Sequence, residues 1–390
     1  MIQAGKFTFT AVEEVTYGLP AAETIVSQAG RLGASRVFLL ASSTLNRKTN
    51  EISKVVTALG ERYAGLYDSI PAHTPCEAVV EAASLARSAG ADLLVTFGGG
   101  SVTDGGKIVQ LCLRHNVTEV EGLDQFRIIT NANGTTERPE FDGPTVRQIA
   151  VPTTLSGAEF NPLGGCTDYR VKMKEAYHHP LLVPMVVILD PAPTVHTPDW
   201  LWLSTGIRAV DHAAEGLSSL QNNPYCDSAA MQALRLLAHA LPRVKEDPSD
   251  LDARLHCQIA TWLSMTAYIG GVPMGASHAI GHVLGGTCNV PHGYTSCVML
   301  PAVLRWNAPV NKERQSLVAE AMGRPGADAS ELLHDFISGL GLPRSLHEVG
   351  VNVDQFELIA RNAMHDRWLH TNPRKIQGPE EVMEILQMAN

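Results

Sequence analysis

The first half of this chain alternates short β-rich runs with amphipathic helical patterns, and the alternation stops near residue 196. Strands are predicted at residues 36–41, 64–67, 92–97, 147–152 and 183–189, and helices at residues 52–59, 77–89 and 102–115. Strands and helices that alternate at this spacing predict a parallel sheet with helices on both faces. Long helical patterns fill the rest of the chain. We therefore predict an α/β domain over residues 1–195 and an all-helical domain over residues 196–390, as a length of 390 residues also favours.

The composition narrows the class of protein. Hydrophobic residues make up 45% of the chain and charged residues 18%, which is typical of a well-packed soluble protein. Thirty basic and forty acidic side chains give a net charge of −10, which argues against nucleic acid or an anionic membrane as the main partner. Seven scattered cysteines without a C-x-x-C pair fit a reducing compartment, and no apolar run approaches the ~18 residues that cross a bilayer. We expect a cytoplasmic enzyme that acts on a small molecule.

A polar insertion over residues 116–146 interrupts the alternation, with turn signals at residues 131–134 and 139–144. No internal repeat or low-complexity segment accompanies it. The insertion either covers a bound cofactor or forms a surface loop, and the sequence leaves these two roles open.

Three glycines and a serine lie between a predicted buried strand and a predicted helix: Gly98, Gly99, Gly100 and Ser101. Glycines there let the backbone approach an anion, and the free N–H groups at the helix start can bind phosphate. The spacing is neither that of the G-x-G-x-x-G fingerprint nor that of a Walker loop. The position at the carboxyl end of a parallel strand nevertheless favours phosphate binding over a simple turn.

Other polar residues are expected near this loop. Asp104 and Lys107 follow on the first turns of the helix, so we expect both to line the same mouth. Thr153 and Thr154 follow the strand at 147–152, at the neighbouring strand end. Their hydroxyls are candidates for contacts with a ribose or a phosphate, although Thr153 could equally be a simple cap.

A group of histidines in the second half has spacing with geometric consequences. His278 and His282 are four residues apart and share one face of a predicted helix. We expect the glycines at 285–286 to end that helix and Pro291 to permit the next one, which brings His292 beside the first two.

His212 lies on another predicted helix and offers a fourth imidazole. Any one of the fifteen histidines, taken alone, is more often a surface or core residue without a chemical role. As a unit, however, four imidazoles that converge predict a metal site, a proton-handling site, or both.

Taken together, these landmarks resemble the iron-containing alcohol dehydrogenase family, also called the group III dehydrogenases. They run in the family's order over nearly the whole chain: the glycine loop with Asp104 and Lys107, residues 152–154, 156–159, Lys174, residues 190–191 and 212–215, the histidine block, and residues 372–374. The histidine block is the specific part of the match, since a glycine loop alone would not be. The resemblance implies a dehydroquinate synthase-like architecture: an N-terminal α/β dinucleotide-binding domain, an all-helical C-terminal domain, and the active site in the cleft between them.

The resemblance also implies a nicotinamide cofactor. The residues expected to hold it are Ser42, Gly98, Gly99, Gly100, Ser101, Asp104, Thr153, Thr154, Lys174 and His282. An acidic residue after the first strand would hold the ribose 2′-hydroxyl and repel a 2′-phosphate. This region contains Ser42 and no acid, and Arg47 and Lys48 follow shortly. We therefore expect NADH or NADPH, without a preference between them.

One residue departs from the family's metal site. The usual ligands are one aspartate and three histidines, and the histidines carry over as His212, His278 and His292. The aspartate belongs four residues before His212, where this chain has Arg208. A guanidinium has only donors, stays protonated and cannot bind a cation. On a regular helix Asp211 points ~100° away from His212, so we expect it to form a salt bridge with Arg208 rather than to replace the missing ligand.

The maleylacetate reductase branch of the family fits this departure best. Its members lack the metal-binding aspartate, work without metal, and reduce 2-maleylacetate, a dicarboxylate of aromatic-compound catabolism, to 3-oxoadipate with NADH or NADPH. Arg208 would then clamp a substrate carboxylate. The general acid would be His278, His282 or His292, with His212 in the same site.

Three alternatives stay open. A metal-dependent alcohol dehydrogenase would keep Fe²⁺ or Zn²⁺ on His212, His278 and His292, with an open position for an alcohol oxygen. A sugar-phosphate lyase resembling dehydroquinate synthase would use NAD transiently, but its metal ligands are not evident at their spacing. A non-catalytic NAD-binding protein would leave the histidines unexplained. A homodimer is expected by analogy only.

Overall fold

The computed structural model describes residues 6–130, 136–171 and 173–390. The chain forms two compact units. The α/β unit comprises Thr10–Thr130 and Thr136–Thr197, and the helical unit comprises Pro198–Asn390 together with residues 6–9. The turn predicted at residues 131–134 lies outside the described residues. None of the described helices combines the length and the apolar character that crossing a bilayer requires.

A parallel sheet forms the centre of the α/β unit. The described strands are β1 (Glu14–Tyr17), β2 (Val37–Ala41), β3 (Tyr63–Tyr67), β4 (Leu93–Gly98), β5 (Ile129–Thr130), β6 (Thr136–Glu137), β7 (Arg147–Pro152), β8 (Leu163–Asp168), β9 (Met173–His178) and β10 (Val186–Leu189). Six of these described strands form the sheet in the order β1-β10-β7-β4-β2-β3, with every neighbouring pair parallel. The strands β5 with β6, and β8 with β9, form antiparallel pairs. The predicted parallel sheet and its five predicted strands are confirmed.

Helices cover both faces of this sheet. They are α1 (Ala21–Arg31), α2 (Ser43–Lys48), α3 (Glu51–Leu59), α4 (Cys76–Ser88) and α5 (Gly100–His115). Val37 and Leu39 of β2 lie in a core cluster with α1 and α3, whereas Phe38 and Leu40 lie in a cluster with α4 and α5. Successive residues of a strand point to opposite faces, so a strand covered on both sides is apolar throughout. Each such side chain contributes about 1.5–3 kcal/mol when it is fully buried.

Several elements of the α/β unit were not predicted, among them β1 and the antiparallel pair of β8 with β9. β1 has only four residues, which are half-buried or exposed, and it lies at the sheet edge. The pair contains two glycines at 164–165 and the charged residues Lys174 and Glu175. β1 is formed by pairing with β10, which is distant along the chain. The glycines and charged residues of the β8–β9 hairpin interrupt the apolar pattern that is typical of a strand.

The helical unit confirms the predicted all-helical second half. Its helices are α6 (Asp199–Ser218), α7 (Pro224–Glu246), α8 (Leu251–Ile269), α9 (Ala276–Cys288), α10 (His292–Ala321), α11 (Ala329–Gly339), α12 (Phe356–Ala363) and α13 (Pro379–Met388). α6 is buried on every side from Trp202 to Ser218. α10 is kinked at Asn311, whose φ of −139° and ψ of 25° are non-helical, two residues after Pro309.

The end of α9 differs from the prediction. The glycines at 285–286 do not end the helix, which continues to Cys288. It ends at Asn289, which adopts the left-handed conformation with φ 55°, and the Val290 amide donates back to the Leu284 carbonyl at 3.2 Å. Glycine inside a helix costs only ~1 kcal/mol, whereas asparagine tolerates the left-handed conformation that ends a helix.

Lys107 ties α5 to two neighbouring segments, so the expectation that it lines a cofactor mouth is wrong. The residue is completely buried. Its ammonium group donates to Asp104 Oδ1 (3.1 Å) and to the carbonyls of Ala158 (2.7 Å) and Leu163 (2.7 Å). Burial lowers the pKa of Lys107, and the Asp104 carboxylate counteracts that shift. Glu159 is buried in the same region, and burial raises the pKa of its carboxyl to about 7.

The variant Glu159→Gln tests this buried carboxyl. The folded-state pKa of Glu159 lies above its ordinary value of about 4.5, so its stabilising contribution is present at low pH and is lost as the pH rises from about 4.5 to about 7. Glutamine does not ionise, so the variant does not lose stability at this position as the pH rises. We expect the free energy of unfolding of the variant, relative to the wild type, to rise by on the order of 2 kcal/mol from about pH 5 to about pH 7.5, measured by urea unfolding. Glu61→Gln, at an exposed position of the same unit, is the control; a relative stability of Glu159→Gln that does not change with pH would contradict the raised pKa.

Candidate functional site

The glycine loop joins β4 to α5 at the carboxyl edge of the sheet. Gly98 is the last residue of β4, and α5 begins at Gly100 with no side chain capping its first turn. A Cβ on Gly100 would lie 2.8 Å from Ser156 Oγ, and a Cβ on Gly99 would lie 3.1 Å from Thr154 Cγ2. The loop therefore packs more closely on its neighbours than residues with side chains would allow. The N–H groups at the start of α5 are the donors that a phosphate requires.

Most residues expected to bind the cofactor lie around this loop. A Cβ on Gly98 would lie 3.2 Å from Ser42 Cβ, at the end of β2. The Thr153 amide donates to the Gly98 carbonyl (2.9 Å), and the Ser101 carbonyl accepts a hydrogen bond from Thr74 Oγ1 (3.1 Å). Because β2, β4 and β7 are neighbours in the sheet, their carboxyl ends meet here. Ligands of open parallel sheets bind at such an edge.

Asp104, on the first turns of α5, and Lys174 form a second group. The Lys174 ammonium lies 3.9 Å from Asp104 Oδ2. Its side chain crosses Gly165, where a Cβ would lie 2.5 Å from Lys174 Cε. Lys174 belongs to β9, so the unpredicted antiparallel pair is what brings this lysine to α5.

Sequence reasoning missed an acidic residue at this edge, Asp68, which directly follows β3. Arg47 Nε and Nη2 donate to the two carboxylate oxygens of Asp68 (2.8 and 2.9 Å), and Asn46 Nδ2 donates to the same carboxylate (2.9 Å). The hydrogen bond from Arg47 holds the pKa of Asp68 well below its usual range. Arg47, considered above for a 2′-phosphate, therefore already has a bidentate carboxylate partner. Asp68 could have been found from its position directly after a predicted strand, because β3 pairs with β2 and their carboxyl ends lie together.

In the helical unit, α6 carries four buried ionisable residues at positions i, i+3, i+4 and i+7: Arg208, Asp211, His212 and Glu215. This spacing places them on one face of the helix. Burying such groups is unfavourable unless they are hydrogen-bonded or paired. We call these four residues the polar stripe of α6.

Arg208 and Asp211 share a hydrogen-bond network with two serines. Arg208 Nη1 donates to Ser296 Oγ (3.0 Å) and lies 3.5 Å from Asp211 Oδ2. The same Oδ2 accepts hydrogen bonds from Ser277 Oγ (2.9 Å) and Ser296 Oγ (2.6 Å). The expected salt bridge between Arg208 and Asp211 is therefore present. Ser277 and Ser296 were missed, because serine is too common for its position alone to indicate a partner.

Glu215 fixes both the start of α9 and the ring of His278. Its carboxylate accepts hydrogen bonds from the amides of Gly275 (3.0 Å) and Ser277 (3.0 Å). Glu215 Oε2 lies 2.7 Å from His278 Nδ1. An ionised carboxylate only accepts, so Nδ1 carries the proton and Nε2 of the neutral ring has the lone pair. That Nε2 has no hydrogen-bond partner among the described residues.

The buried groups of this site shift the pKa values of one another. Burial, and then the charge of Glu215, raise the pKa of Asp211 to about 7, and burial raises the pKa of Glu215. Burial lowers the pKa of Arg208, and Asp211 counteracts the shift. Burial, and then the positive charge of Arg208, hold the pKa of His278 well below its ordinary value. The pKa of His212 is lowered in the same way, by burial and then by His278, so both imidazoles are neutral at neutral pH.

The four predicted imidazoles form two pairs. The ring centroids of His212 and His278 lie 4.9 Å apart. Those of His282 and His292 lie 5.8 Å apart, with the rings stacked at 8°. The first pair is buried, whereas the side chain of His282 is 39% exposed. His292 opens α10 directly after Pro291, as predicted.

A carboxylate that sequence reasoning did not select contacts the second pair. Asp366 Oδ2 lies 2.8 Å from His282 Nδ1, and Asp366 Oδ1 accepts a hydrogen bond from the Trp368 amide (2.8 Å). Asp366 follows α12 and is separated from His282 by 84 positions. Spacing along the chain gives no signal for a contact over that distance.

The closely spaced ligand-type side chains of the helical unit differ from the ligand set that the resemblance implies. Among the described residues, the group of ligand-type side chains that approach one another closely is Asp211, Glu215 and His278, not the expected set of three histidines. Two of these side chains bond to each other, and Asp211 Oδ2 accepts hydrogen bonds from two hydroxyls. A cation at this group would displace those bonds and lie beside the guanidinium of Arg208, which is 3.5 Å from Asp211.

Comparison with known proteins identifies the family and confirms the resemblance. The family profile described as iron-containing alcohol dehydrogenase matches residues 13–191, and the one described as Fe-containing alcohol dehydrogenase family, C-terminal, matches residues 202–390. Dehydrogenase FUM7 of Gibberella moniliformis is 34% identical over 96% of this chain and 95% of that protein. Maleylacetate reductase 1 of Cupriavidus pinatubonensis is 30% identical over 96% of this chain and 94% of that protein.

The fold gives the same assignment. The crystal structure of maleylacetate reductase from Rhizobium sp. strain MTP-10005 matches with a TM-score of 0.83 at 29% identity, and the match covers 100% of this chain and 98% of that chain. Sequence and fold agree over both units. The chain therefore belongs to the iron-containing alcohol dehydrogenase family and is an NAD(P)-dependent oxidoreductase.

Proposed function

We propose that this enzyme reduces the carbon–carbon double bond of 2-maleylacetate to give 3-oxoadipate, with NADH or NADPH as reductant and without a metal ion. The observation that carries the proposal is Arg208. It stands four residues before His212, where the family places a metal-binding aspartate, and Ser296 and Asp211 hold it there. Relatives that are maleylacetate reductases support the same substrate. Composition and analogy also predict a cytoplasmic location and a homodimer.

In the proposal, the glycine loop holds the pyrophosphate of the cofactor. NADH or NADPH supplies, when bound, the hydride that is added to the substrate's double bond. The N–H groups at the start of α5 donate to phosphate oxygens, and the absence of side chains at Gly99 and Gly100 lets the phosphates approach the backbone. The side chains of Ser42, Thr153 and Thr154 surround that position and contribute hydroxyl groups.

Arg208 provides the positive charge that the substrate requires. 2-Maleylacetate carries two carboxylates, and negative charge develops on its ketone oxygen when hydride adds to the conjugated double bond. The guanidinium attracts a carboxylate or the developing enolate. Because burial raises the pKa of Asp211 to about 7, that carboxyl is partly protonated at neutral pH. Part of the Arg208 charge is therefore left for the substrate.

The proton for the neighbouring carbon comes from the second histidine pair. His212 and His278 are buried and neutral, so neither is a cationic acid at neutral pH. His282 is partly exposed and stacks on His292, so its ring can exchange protons with water between turnovers. We assign His282 as the general acid. His278 is fixed by Glu215 and keeps the lone pair of its ring on Nε2.

A metal-dependent alcohol dehydrogenase is the second candidate, because two buried ring nitrogens lack a partner. His212 Nδ1 and His278 Nε2 make no hydrogen bond to any described residue. Neutral imidazole nitrogens of this kind are ligands for Fe²⁺ or Zn²⁺. On this alternative His292 supplies the third imidazole, and the reaction interconverts an alcohol and an aldehyde.

Turnover of 2-maleylacetate with and without a chelator separates the two candidates. We expect the purified enzyme to oxidise NADH or NADPH when 2-maleylacetate is added, followed by the loss of reduced-cofactor absorbance. The rate should be unchanged after dialysis against EDTA, because Arg208 supplies the cation. Oxidation of simple alcohols that requires added Fe²⁺ or Zn²⁺, without any turnover of 2-maleylacetate, would establish the alternative instead.

Substitution of Arg208 tests its charge. We expect Arg208→Gln to lower kcat/KM for 2-maleylacetate by roughly 10²–10³-fold, since a neutral amide cannot stabilise the developing negative charge. Arg208→Lys keeps the charge without the planar fork, and its activity should lie between those of the wild type and Arg208→Gln. Arg235→Gln, at an exposed arginine of α7 that bonds to Gln232, is the matched control. If all three variants had equal activity in steady-state assays, Arg208 would have no role in the reaction.

Substitution of Gly100 tests the phosphate loop. A Cβ at this position would lie 2.8 Å from Ser156 Oγ, so Gly100→Ala displaces the loop from its packed position. We expect the Kd for NADH, measured by fluorescence titration, to rise about tenfold or more. Gly30→Ala on α1 is the control, because a Cβ there meets no atom within 4 Å. Unchanged NADH affinity in Gly100→Ala would show that the cofactor binds elsewhere.

A further inference from the structure

His282 combines two properties: a carboxylate partner and partial exposure. Its Nδ1 lies 2.8 Å from Asp366 Oδ2, and its side chain is 39% exposed. His278 also has a carboxylate partner, but it is buried. His282 is therefore held in one orientation, and its side chain is accessible to water.

Asp366 is itself rigidly placed. Its Oδ1 accepts a hydrogen bond from the Trp368 amide (2.8 Å), and its own amide donates to the Ala363 carbonyl (2.9 Å) at the end of α12. The ring of Trp368 packs against Tyr268 of α8, with centroids 5.9 Å apart. One carboxylate oxygen thus anchors Asp366 to its own turn, and the other is left for the imidazole.

The ring of His282 also stacks on a second imidazole. His292 lies parallel to it at 5.8 Å, so the imidazole is held by a hydrogen bond in its plane and by a ring against its face. An ionised carboxylate can only accept, so the proton of a neutral His282 resides on Nδ1. The lone pair is then on Nε2, the nitrogen on the far side of the ring from Asp366.

We propose that Asp366 is the positioning residue of the proton donor: it accepts a hydrogen bond from Nδ1–H of His282, so that the imidazolium gives its Nε2 proton to the substrate and the neutral Nδ1–H ring that remains regains a proton at Nε2 from water. This inference rests on the proposed function. For each hydride added to one carbon of the double bond, one proton passes from His282 Nε2 to the adjacent carbon, by way of the enolate. The neutral ring that remains keeps its Nδ1–H bond to Asp366 and is reprotonated at Nε2 by solvent.

The variant Asp366→Asn tests this role by reversing the hydrogen bond. The Trp368 amide needs an acceptor, so it retains the amide oxygen of the new side chain, and the NH₂ group faces His282 Nδ1. An NH₂ group only donates, which forces a neutral His282 into the Nε2–H tautomer. We expect kcat to fall at least ~100-fold while KM changes less than ~3-fold, since the wrong tautomer impairs proton transfer and not binding. Nitrogen-15 NMR of histidine-labelled enzyme, with the His282 signals assigned by His282→Gln, reports the tautomer directly.

Three further variants separate positioning from simple structural damage. Asp366→Glu keeps an accepting carboxylate, and we expect it to retain the wild-type tautomer and kcat within ~10-fold. Asp252→Asn is the matched control, because Asp252 pairs with His256 Nδ1 at 3.4 Å on the surface of α8 and should change neither kcat nor the His282 signals. Adding Asp366→Asn to His282→Gln should cause no further loss, because the two residues act as one unit.

The outcomes decide the proposal in either direction. A reversed tautomer with a lower kcat and no additional loss in the double variant supports it. An unchanged tautomer in Asp366→Asn, or a reversed tautomer with wild-type kcat, overturns it. The NMR measurement needs no substrate, so it decides whether Asp366 sets the tautomer even if the wild-type enzyme fails to turn over 2-maleylacetate. That failure would reject the proposed function alone, and the kinetic comparison would then use the alcohol that the wild type oxidises.

Discussion

The helical unit is organised around a positive charge that is buried in its central helix. An isolated guanidinium in such surroundings would cost several kcal/mol, so its partners are a condition of the fold. Arg208 has Asp211 on its own helix and Ser296 on α10, and Asp211 is in turn bonded to Ser277 on α9. Three helices are therefore held in register by one ion pair and two hydroxyls. The imidazoles on α9 and at the start of α10 take their positions from this arrangement.

Carboxylates in this unit serve folding and chemistry together. Glu215 accepts the first amides of α9 and also orients His278, so the start of the helix and the tautomer of the ring depend on the same group. Asp366 does the same for the turn after α12 and for His282. Carboxylates placed behind histidines fix ring orientation in catalytic and metal sites generally. Here they explain why the two rings keep defined positions although only His278 is fully enclosed.

The sequence predicted the parts of the molecule that local patterns determine. Five strands of the parallel sheet were predicted because each contains a short apolar run, and the glycine loop was found because it follows one of them. β1 was missed because its partner β10 is distant along the chain, and the β8–β9 hairpin was missed because its glycines and charged residues interrupt the apolar pattern of a strand. The expected helix end at residues 285–286 was wrong because glycine is tolerated inside a helix, and Asn289 provides the left-handed turn instead.

The same limit applies to the candidate site. The stripe on α6 and the histidine spacing were visible along the chain, but Ser277, Ser296 and Asp366 reach the site from other segments without any spacing that marks them. Lys107 was assigned to a cofactor mouth on its sequence position alone, whereas its contacts to the Ala158 and Leu163 carbonyls make it an internal tie.

The pairing of Arg208 with Asp211 also restricts how such a chain can diverge. An aspartate introduced alone at position 208 would place a third carboxyl in a buried region that already contains Asp211 and Glu215, and no cation would remain to balance them. A substitution at 211 alone would leave the guanidinium buried without its counter-charge. Each single substitution is unfavourable. We therefore expect that replacing the Arg208 guanidinium by a bound metal ion requires substitutions at positions 208 and 211 together. We also expect residues 208 and 211 to change together, because the stability of the helical unit depends on the pair.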